Sequence, residues 1–351
     1  MKFEDFIELH RGYDLPKKQR KNGQIPVIAS TGINGTHNVA KIKGPGVVTG
    51  RSGSIGKVQY IKDDFWPLNT TLYVSDFKGN NPKFVAYWLE RFDLKRFSSG
   101  SAVPTLNRNE LTNVEICVPN REEQDKIVAI LEPFEKKIEL NQEINDNLVE
   151  LINTIYHSEQ SVSAKDDNVC IGDLFDTTSI TYKVKEHPNE LVWHFSIPNF
   201  DQKKYPTIDS VNDIKSNKII VKPYSVLVSK LNPATKRIWA PNLESFNKYP
   251  KLCSTEFVPI SGNNKFEQAI IFAITNSSDF IRYLSSKKTG STNSRQRVRP
   301  IDIFSYVLPI KKENLYKIQM QLTTILQKIQ VNQDEIATLT KLKQELLIKY
   351  F

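Results

Sequence analysis

The chain repeats itself, and each repeat ends in a long amphipathic segment. The pair Gly-Ser at 100–101 recurs at 290–291, an offset of 190 residues, and the pair Lys-Ile at 126–127 recurs at 317–318, an offset of 191. Each half therefore has the same predicted order: a variable globular region, a Gly-Ser loop, a strand ending in proline, and a long helix. A chain organised in this way must place two related globular regions and two related helices.

Both predicted helices carry a seam of mostly apolar residues at alternating steps of four and three. The first seam comprises Ile127, Leu131, Phe134, Ile138, Asn141, Asn145, Leu148, Ile152 and Ile155. The second comprises Ile318, Leu322, Ile325, Ile329, Asn332, Ile336, Leu339, Lys343 and Leu346. A 3.5-residue repeat predicts that the helices pair with each other. The alternative is that each helix packs on its own domain. We favour pairing because both seams are long, narrow and matched.

Two asparagines are predicted to fix the register of this pairing. Asn141 and Asn332 occupy equivalent positions in the two seams. A buried asparagine costs stability but sets register, because only the correct pairing lets the two amides satisfy each other. Pro133 is expected to kink the first helix, since it removes a backbone donor and clashes with the preceding turn. Helices of roughly 30 to 36 residues would form antiparallel rods of about 45 to 54 Å that hold two domains apart.

The predicted fold class is α+β, with two pseudo-repeated domains of mixed helix and sheet separated by two long helices that form an antiparallel coiled coil. The expected segments are a first domain at 1–120, a first spacer helix at 121–158, a linker at 159–168, a second domain at 169–311 and a second spacer helix at 312–351. Predicted strands include Gly46–Gly50, Val226–Ser229 and Phe304–Leu308, and the domain helices are predicted at Phe84–Phe92 and Phe266–Ile274.

The charge balance favours a polyanionic partner. Lys and Arg number 48 against 39 Asp and Glu, which gives a formal net charge of +9. A basic surface that is merely solvated is the alternative. No run of 18 apolar residues occurs, and acidic residues stand where a signal peptide needs an apolar core, so we expect a cytoplasmic protein with no membrane association. The three cysteines are far apart and predict reduced thiols without a zinc site.

Motifs for catalysis are lacking in the sequence. A glycine-rich turn at dinucleotide-binding spacing and the Asp/Asn-Pro-Pro-aromatic tetrad of base methyltransferases do not occur. Residues 50–58 resemble a phosphate-binding loop, but the glycine spacing is one residue too long and Val58 replaces the metal-binding hydroxyl. The adjacent Asp63 and Asp64 leave a metal-dependent nuclease as one alternative, and a coiled-coil scaffold without a nucleic-acid role as another. We predict no catalytic residue, no metal and no cofactor on this chain.

Two loops in each half combine residue types suited to DNA. Arginine can bind guanine, and asparagine can bind adenine, through two hydrogen bonds each, while glycines let the backbone approach phosphate. The candidates in the first half are Arg51, Ser52, Ser54, Lys57, Ser101, Thr105, Asn107 and Arg108. Those in the second half are Lys230, Asn232, Lys236, Arg237, Ser291, Asn293, Arg295, Gln296, Arg297 and Arg299. Either loop alone could be a simple turn, but their repetition favours recognition, with each half reading a different short sequence.

The stretches GVVTGRSGSIGKVQY, FWPLNTTLYV, SGSAVPTLNR and VPNREEQDKIVAIL resemble the specificity subunits of type I restriction–modification systems. The resemblance extends over nearly the whole chain, in the order domain, helix, domain, helix. It implies a non-catalytic subunit whose two target-recognition domains each read one half of a split sequence in double-stranded DNA. The candidate loops would face the DNA, and the helices with the adjoining domain faces would contact the methyltransferase.

The same resemblance implies partner subunits that perform the chemistry. Two methyltransferase subunits would bind this chain, and restriction/translocase subunits would bind through them. S-adenosylmethionine, ATP and Mg²⁺ would be held by those partners. The sequence does not distinguish this role from that of the specificity subunit of a type IIB-like enzyme, in which one partner both cleaves and methylates.

Overall fold

The computed structural model of the chain describes residues 1–99, 104–160, 169–290 and 296–351, which pack into two units. The first unit contains residues 1–136 and 341–351, and the second contains residues 137–340. The two long helices, α3 (Arg121–Ser158) and α9 (Lys312–Tyr350), therefore contribute to both units. Of the predicted linker at 159–168, residues 161–168 lie outside the described part of the chain.

The first unit is built from short strands around one domain helix. Its strands are β1 (Glu8–Arg11), β2 (Ile25–Ala29), β3 (Gly32–His37), β4 (Gly46–Gly50), β5 (Val58–Ile61), β6 (Trp66–Pro67), β7 (Thr71–Asp76), β8 (Ser98–Ser99) and β9 (Thr105–Leu106). They form sheets of order β1-β7-β4-β5, β3-β2-β6 and β8-β9. The helices are α1 (Phe3–Phe6) and α2 (Pro82–Arg91). Asn81 caps α2 by accepting from the amides of Lys83 and Phe84, and Pro82 suits the first helical turn.

The second unit repeats this plan with more elements. Its strands are β10 (Thr181–Tyr182), β11 (Leu191–Phe195), β12 (Thr207–Ser210), β13 (Lys218–Ile220), β14 (Ser225–Ser229), β15 (Ile238–Trp239), β16 (Lys251–Cys253) and β17 (Phe257–Ser261). They form sheets of order β10-β13-β16-β11-β12 and β15-β14-β17. The helices are α4 (Ile171–Leu174), α5 (Ile197–Lys203), α6 (Lys265–Asn276), α7 (Ser278–Lys287) and α8 (Pro300–Phe304). Asn264 caps α6 as Asn81 caps α2, so the two domain helices are equivalent.

The long helices pair antiparallel, and the predicted fold class is confirmed. Within the second unit, Asn332 donates from Nδ2 to Oδ1 of Asn145 at 2.9 Å. Within the first unit, Lys343 Nζ lies 2.6 Å from Oε1 of Glu135. Residue numbers decrease along α3 from Asn145 to Glu135 as those of their partners increase along α9 from Asn332 to Lys343, which defines an antiparallel pair. α3 is continuous through Pro133, which is exposed on the helix.

The partners of the seam asparagines differ from the prediction that Asn141 and Asn332 satisfy each other. Asn332 bonds to Asn145, and Asn141 donates to Oε2 of Glu335 at 2.8 Å. The reason is geometric: in an antiparallel pair, repeat-equivalent residues lie on opposite sides of the centre and cannot face each other. By the repeat, the place of the Asn145–Asn332 pair is equivalent to the place of Ile336 and Asn141. Because Ile336 stands where Asn145 stands, only the first of these two places carries an asparagine pair.

We expect Asn145→Ile to destabilise the protein by about 1–3 kcal/mol, because it leaves the buried amide of Asn332 without its side-chain acceptor. The double variant Asn145→Ile/Asn332→Leu should recover most of this loss, since an apolar pair leaves no amide unsatisfied. Urea unfolding followed by circular dichroism measures both values. A double variant that is less stable than Asn145→Ile would contradict this account of the seam.

One predicted strand is shorter than expected. Of the predicted strand Phe304–Leu308, Phe304 ends helix α8 (Pro300–Phe304), and only a bridge between Val307 and Cys170 is formed. Pro300 occupies the first helical turn, and the carboxylate of Asp302 accepts a hydrogen bond from the backbone amide of Arg299 at 3.0 Å. This capping arrangement starts a helix where apolar alternation alone suggested an extended chain. Among the described residues, no helix is long and apolar enough to cross a membrane.

Candidate nucleic-acid interface

The two candidate loops of the first unit meet at one place. The chain leaves β4 at Gly50, and the carbonyl of the next residue, Arg51, accepts from the amide of Leu106 at 2.8 Å. Ser52 then forms a bridge with Thr105. The buried side chain of Leu106 anchors the second loop in the core of the unit. Segments that are far apart in sequence are thereby held side by side.

The second unit joins its loops through a hydrogen bond equivalent to the one between Leu106 and Arg51. The amide of Val298 donates to the carbonyl of Lys230 at 3.0 Å, and Leu231 forms a bridge with Arg297. The amide of Asn232 donates to the carbonyl of Gln296 at 2.8 Å. Arg51 and Lys230 therefore hold equivalent positions, one residue after β4 and β14 respectively. The two candidate loops of each half, which the sequence identifies only by residue type, therefore lie side by side in both units.

An open pocket lies beside the joined loops of the first unit. Its volume is about 370 Å³, and its polar lining includes Arg11, Arg51, Ser99, Thr105, Asn107 and Arg108. Asn107 caps the short turn at Arg108–Glu110, and Arg108 is oriented by a hydrogen bond from Nη1 to the carbonyl of Leu9 at 2.9 Å. These contacts direct polar side chains from β1 and from both loops towards one concave surface.

Three arginines line this pocket without a carboxylate partner among the described residues. Arg11, Arg51 and Arg108 form no ion pair in that part of the chain. Burial, and then the neighbouring guanidinium of Arg11, lower the pKa of Arg51 below its ordinary value. Uncompensated positive charge in a concave site attracts anions and hydrogen-bond acceptors. The pocket therefore suits a phosphate or the acceptor edge of a guanine.

Glycines shape the loop that follows β4. A Cβ at Gly50 would lie 1.9 Å from the carbonyl oxygen of Ser54, so no larger residue fits there. Gly53 and Gly56 have φ of +83° and +79°, values that favour glycine. The ammonium group of Lys57 donates to the carbonyl of Thr31. Lys57 is thus turned towards its own unit, while Ser52 and Ser54 lie in the loop between Gly50 and Gly56.

The candidate arginines of the second unit that the structure describes form ion pairs within the unit. Arg297 bonds Glu256 through two nitrogens at 3.0 and 3.1 Å. Two further candidate arginines are held likewise by carboxylates, Arg237 by Asp201 at 2.6 and 2.9 Å and Arg299 by Asp302 at 2.8 and 3.0 Å. Of the three neighbouring arginines at 295, 297 and 299, the two that the structure describes are therefore already paired within the unit.

Other candidate residues are dispersed or lie outside the described residues. Lys236 lines a cleft with Asn153 and His157 of α3, and burial and Lys204 lower its pKa. Asn232 adopts φ of +48° at the loop junction. The candidates outside the described residues are Ser101, Ser291, Asn293 and Arg295.

One residue of the acidic pair considered for a nuclease, Asp64, has a structural role between two loops. Asp64 accepts from the amide of Gly44 at 3.0 Å, which ties two loops together. In the described part of the chain, no group of three His, Cys, Asp or Glu side chains could hold a metal ion. Neither observation supports placing metal chemistry at Asp63 and Asp64.

Sequence reasoning missed Arg11. It lies on β1, about forty residues before the first candidate loop, and no motif surrounds it. Strand register brings it to the site, because Arg11 is opposite Leu72 on β7, and Leu72 is opposite Thr49 on β4. A search for basic residues at the ends of predicted strands would have included Arg11, although only the sheet order shows which strand end is adjacent.

Comparison with known proteins assigns the family. A family model described as the type I restriction modification DNA specificity domain matches residues 1–150. The N-terminal part of a putative type I specificity subunit from Mycoplasma pneumoniae is 30% identical over 144 residues, which cover 38% of this chain and 75% of that protein. The chain belongs to the type I specificity subunits.

Further members of the family show how far the likeness extends. The specificity subunit of the type I restriction enzyme EcoprrI from Escherichia coli is 27% identical over 124 residues, covering 35% of this chain. The matched part spans only 31% of the length of that E. coli subunit. The crystal structure of a type I restriction–modification S subunit from M. genitalium matches with a TM-score of 0.60 at 16% identity, covering 100% of this chain and 95% of that one. This structural match extends the shared fold through both units and both long helices.

Proposed function

We propose that this chain is the non-catalytic DNA-specificity subunit of a type I restriction–modification complex. Each unit reads one half of a bipartite target in double-stranded DNA. The main support for this proposal is the pocket beside the joined loops of the first unit, where Arg11, Arg51 and Arg108 have no carboxylate partner among the described residues. The family model matches residues 1–150, which include most of that unit.

In this proposal the second unit reads its half-site from the equivalent junction. Lys230 takes the place of Arg51, and Asn232 lies beside Gln296. Arginine and lysine suit phosphate or guanine, and asparagine and glutamine suit adenine. The different residues at equivalent positions support the reading of two different half-sites.

Methylation and cleavage belong to partner subunits that bind this chain in the cytoplasm. S-adenosylmethionine, ATP and Mg²⁺ would be bound by a pair of methyltransferase subunits and by the restriction subunits attached through them. Support for a pair comes from exposed apolar residues on the long helices at repeat-equivalent positions. Leu140 corresponds to Val331, with exposures of 49% and 56%, and Leu151 corresponds to Leu342, with 45% and 42%.

Each helix thus presents two outward apolar residues eleven positions apart, about three helical turns. Exposed apolar side chains that recur in register indicate a binding surface better than scattered ones do. Because the two surfaces are equivalent by the repeat, they suit two copies of one partner. We assign them to the methyltransferase.

The DNA-reading function is tested with the methyltransferase subunit of the same restriction–modification system. Co-expressed complex should methylate a split motif in a host genome, and the isolated chain with Mg²⁺ should leave plasmid DNA intact. Methylome sequencing reads the first result and gel electrophoresis the second. A continuous motif, or cleavage by the isolated chain, would overturn the proposal.

We expect Leu140→Asp and Val331→Asp each to remove one methyltransferase copy from the complex, because each places a charge in one of two apolar contacts. Native mass spectrometry measures the stoichiometry, which should fall from two copies to one in each single variant. Met320→Asp is the control: Met320 is 62% exposed on α9, but its repeat equivalent is Ala129. Unchanged stoichiometry in both test variants would reject this surface.

A further inference from the structure

The contact between α2 and the long helices of the first unit is a network of charges. Glu135 on α3 lies 2.6 Å from Nζ of Lys343 on α9 and 3.0 Å from Nζ of Lys83 on α2. The hydroxyl of Tyr87 donates to Oε2 of Glu135 at 2.9 Å. The Lys343, Lys83 and Glu135 side chains are only 16%, 16% and 21% exposed. This is a largely buried, fully connected network.

Glu135 stays ionised in this network. Burial by itself raises the pKa of Glu135, but the ammonium groups of Lys343 and Lys83 outweigh it and bring the pKa below its ordinary value. The ring of Tyr87 lies 5.3 Å from the Lys343 ammonium, which adds a cation–π contact. The carboxylate that compensates Lys343 is therefore Glu135, whereas Glu135 is compensated by Lys83 of α2 as well.

The equivalent contact in the second unit is apolar. The 191-residue offset relates Glu135 to Leu326 and Lys343 to Ile152. Leu326 and Ile152 are 2% and 0% exposed and lie in one hydrophobic cluster. The domain helices show the same difference between the two units. When α2 and α6 are aligned at their capping residues, Tyr87 corresponds to Ile270, which belongs to the same hydrophobic cluster.

Pairing of like helices, α3 with α3 or α9 with α9 of a second copy, would place charged residues opposite apolar ones. If α9 paired antiparallel with α9 of a second copy, the repeat would bring Lys343 opposite Leu326, and no carboxylate would be present. If α3 paired with α3 of a second copy, Glu135 would face Ile152. Lys343 would then be buried without a carboxylate, and Glu135 would keep only Lys83 of α2, so like pairing loses charge compensation that unlike pairing provides.

The seam asparagines do not prevent like pairing. By the same offset, two copies of α3 would bring Asn141 opposite Asn145, where the amides could satisfy each other, whereas two copies of α9 would bring Asn332 opposite Ile336. Two chains therefore form the same number of asparagine pairs in the like and the unlike arrangement, so the asparagines alone do not select partners. The charged pair is the element that differs between like and unlike pairing.

We propose that Glu135 and Lys343 act as a partner-selecting pair, which stabilises α3 against α9 of the same chain and rejects pairing of like helices between two copies. The long helices of one chain then cannot assemble with those of another in the like arrangement. This inference does not depend on DNA binding. It explains why the buried charges occur at only one of two equivalent places.

The test uses the full-length chain with both charges replaced by the residues of the other half, Glu135→Leu/Lys343→Ile. Wild-type and variant chains are unfolded in guanidinium and refolded at the same high concentration, and sedimentation velocity measures the dimer fraction. Wild type should return as monomer. The variant should show a rise in dimer fraction of roughly tenfold or more, as a change of about 1.4 kcal/mol or more in relative pairing energy predicts.

The identity of the dimer is read with a nitroxide label on a cysteine introduced at Glu143, an exposed position near the centre of a like α3 pair. Like pairing puts the two labels on adjacent helices whose axes are about 8–10 Å apart. A short label–label distance supports the proposal. A dimer without it, formed by exchange of unlike helices, overturns it.

Lys341→Ile/Glu345→Leu is the matched control, because it makes the same change of composition and charge at an exposed ion pair on α9. Its dimer fraction should equal that of wild type. Glu135→Gln/Lys343→Met removes both charges at nearly constant volume and should dimerise like the first variant, which covers failure of the first variant to refold. A double variant that remains monomeric, or a wild type that dimerises equally, would refute the proposal.

Discussion

Replacing Arg11 and Arg51 together by alanine should reduce affinity for one half-site by about 10²–10⁴-fold. Each arginine that bonds a guanine edge or phosphate contributes about 1–3 kcal/mol of binding energy, and both line one pocket with no carboxylate partner in the described chain. Affinity is measured by fluorescence anisotropy with the methyltransferase complex at fixed salt. The other half-site should still be discriminated from mutated versions of itself.

Lysine variants separate the two kinds of contact. A lysine keeps the charge but cannot form the two parallel hydrogen bonds of a guanidinium. Arg11→Lys should therefore retain affinity if Arg11 binds phosphate and lose sequence discrimination if it binds guanine. Arg91→Ala is the control, since Arg91 is exposed at the end of α2, outside the pocket. Wild-type affinity in the Arg11→Ala/Arg51→Ala variant would show that the pocket does not contact DNA.

Glu135→Leu alone should lower the free energy of unfolding by about 3 kcal/mol, because it leaves the ammonium groups of Lys83 and Lys343 partly buried without their shared carboxylate. Glu135→Leu/Lys343→Ile should recover the part of this loss that comes from the Lys343 ammonium, since the apolar pair resembles Leu326 and Ile152 of the other half, and Lys83 retains Glu132 at 3.4 Å. Urea unfolding of all three proteins gives these values. Equal destabilisation by the single and double variants would mean that the charges do not interact.

The same proteins should differ in their dependence on pH. The pKa of Glu135 is lowered in the folded chain, so its contribution to stability is complete above the unfolded pKa of about 4.3 and is lost as pH falls through the lower folded value. Between pH 5 and pH 3, wild type should therefore lose more stability than Glu135→Leu/Lys343→Ile. Parallel losses in the two proteins would indicate that other carboxylates account for the acid sensitivity.

The helices and their pairing could be predicted because the information is local. A seam with steps of four and three is visible in any window of two turns, and the 191-residue offset repeats it. The partner of Asn332 was mispredicted because equivalence in a repeat was taken for contact in space. An antiparallel pair places Asn332 opposite Asn145, and Asn141 opposite the turn that contains Glu335.

The candidate site was predictable only in part, for reasons of distance along the chain. Residue types suggested the two loops of each unit, and the structure joins them through Leu106 and Val298. Arg11 was missed because sheet order, which no local pattern encodes, brings β1 to the pocket. The pairing of Arg297 with Glu256, 41 residues away, was equally hidden, so the charge of the second unit was overestimated.

The carboxylates behind Arg237, Arg297 and Arg299 affect what happens when a polyanion approaches the second unit. A guanidinium already fixed by two hydrogen bonds has little rotational freedom left to lose on binding. Because the carboxylate already offsets its charge, it neutralises less phosphate charge, so it displaces fewer counterions from the polyanion and its binding depends weakly on ionic strength. Selectivity in the second unit would then come from shape and hydrogen-bond direction, with little contribution from long-range attraction.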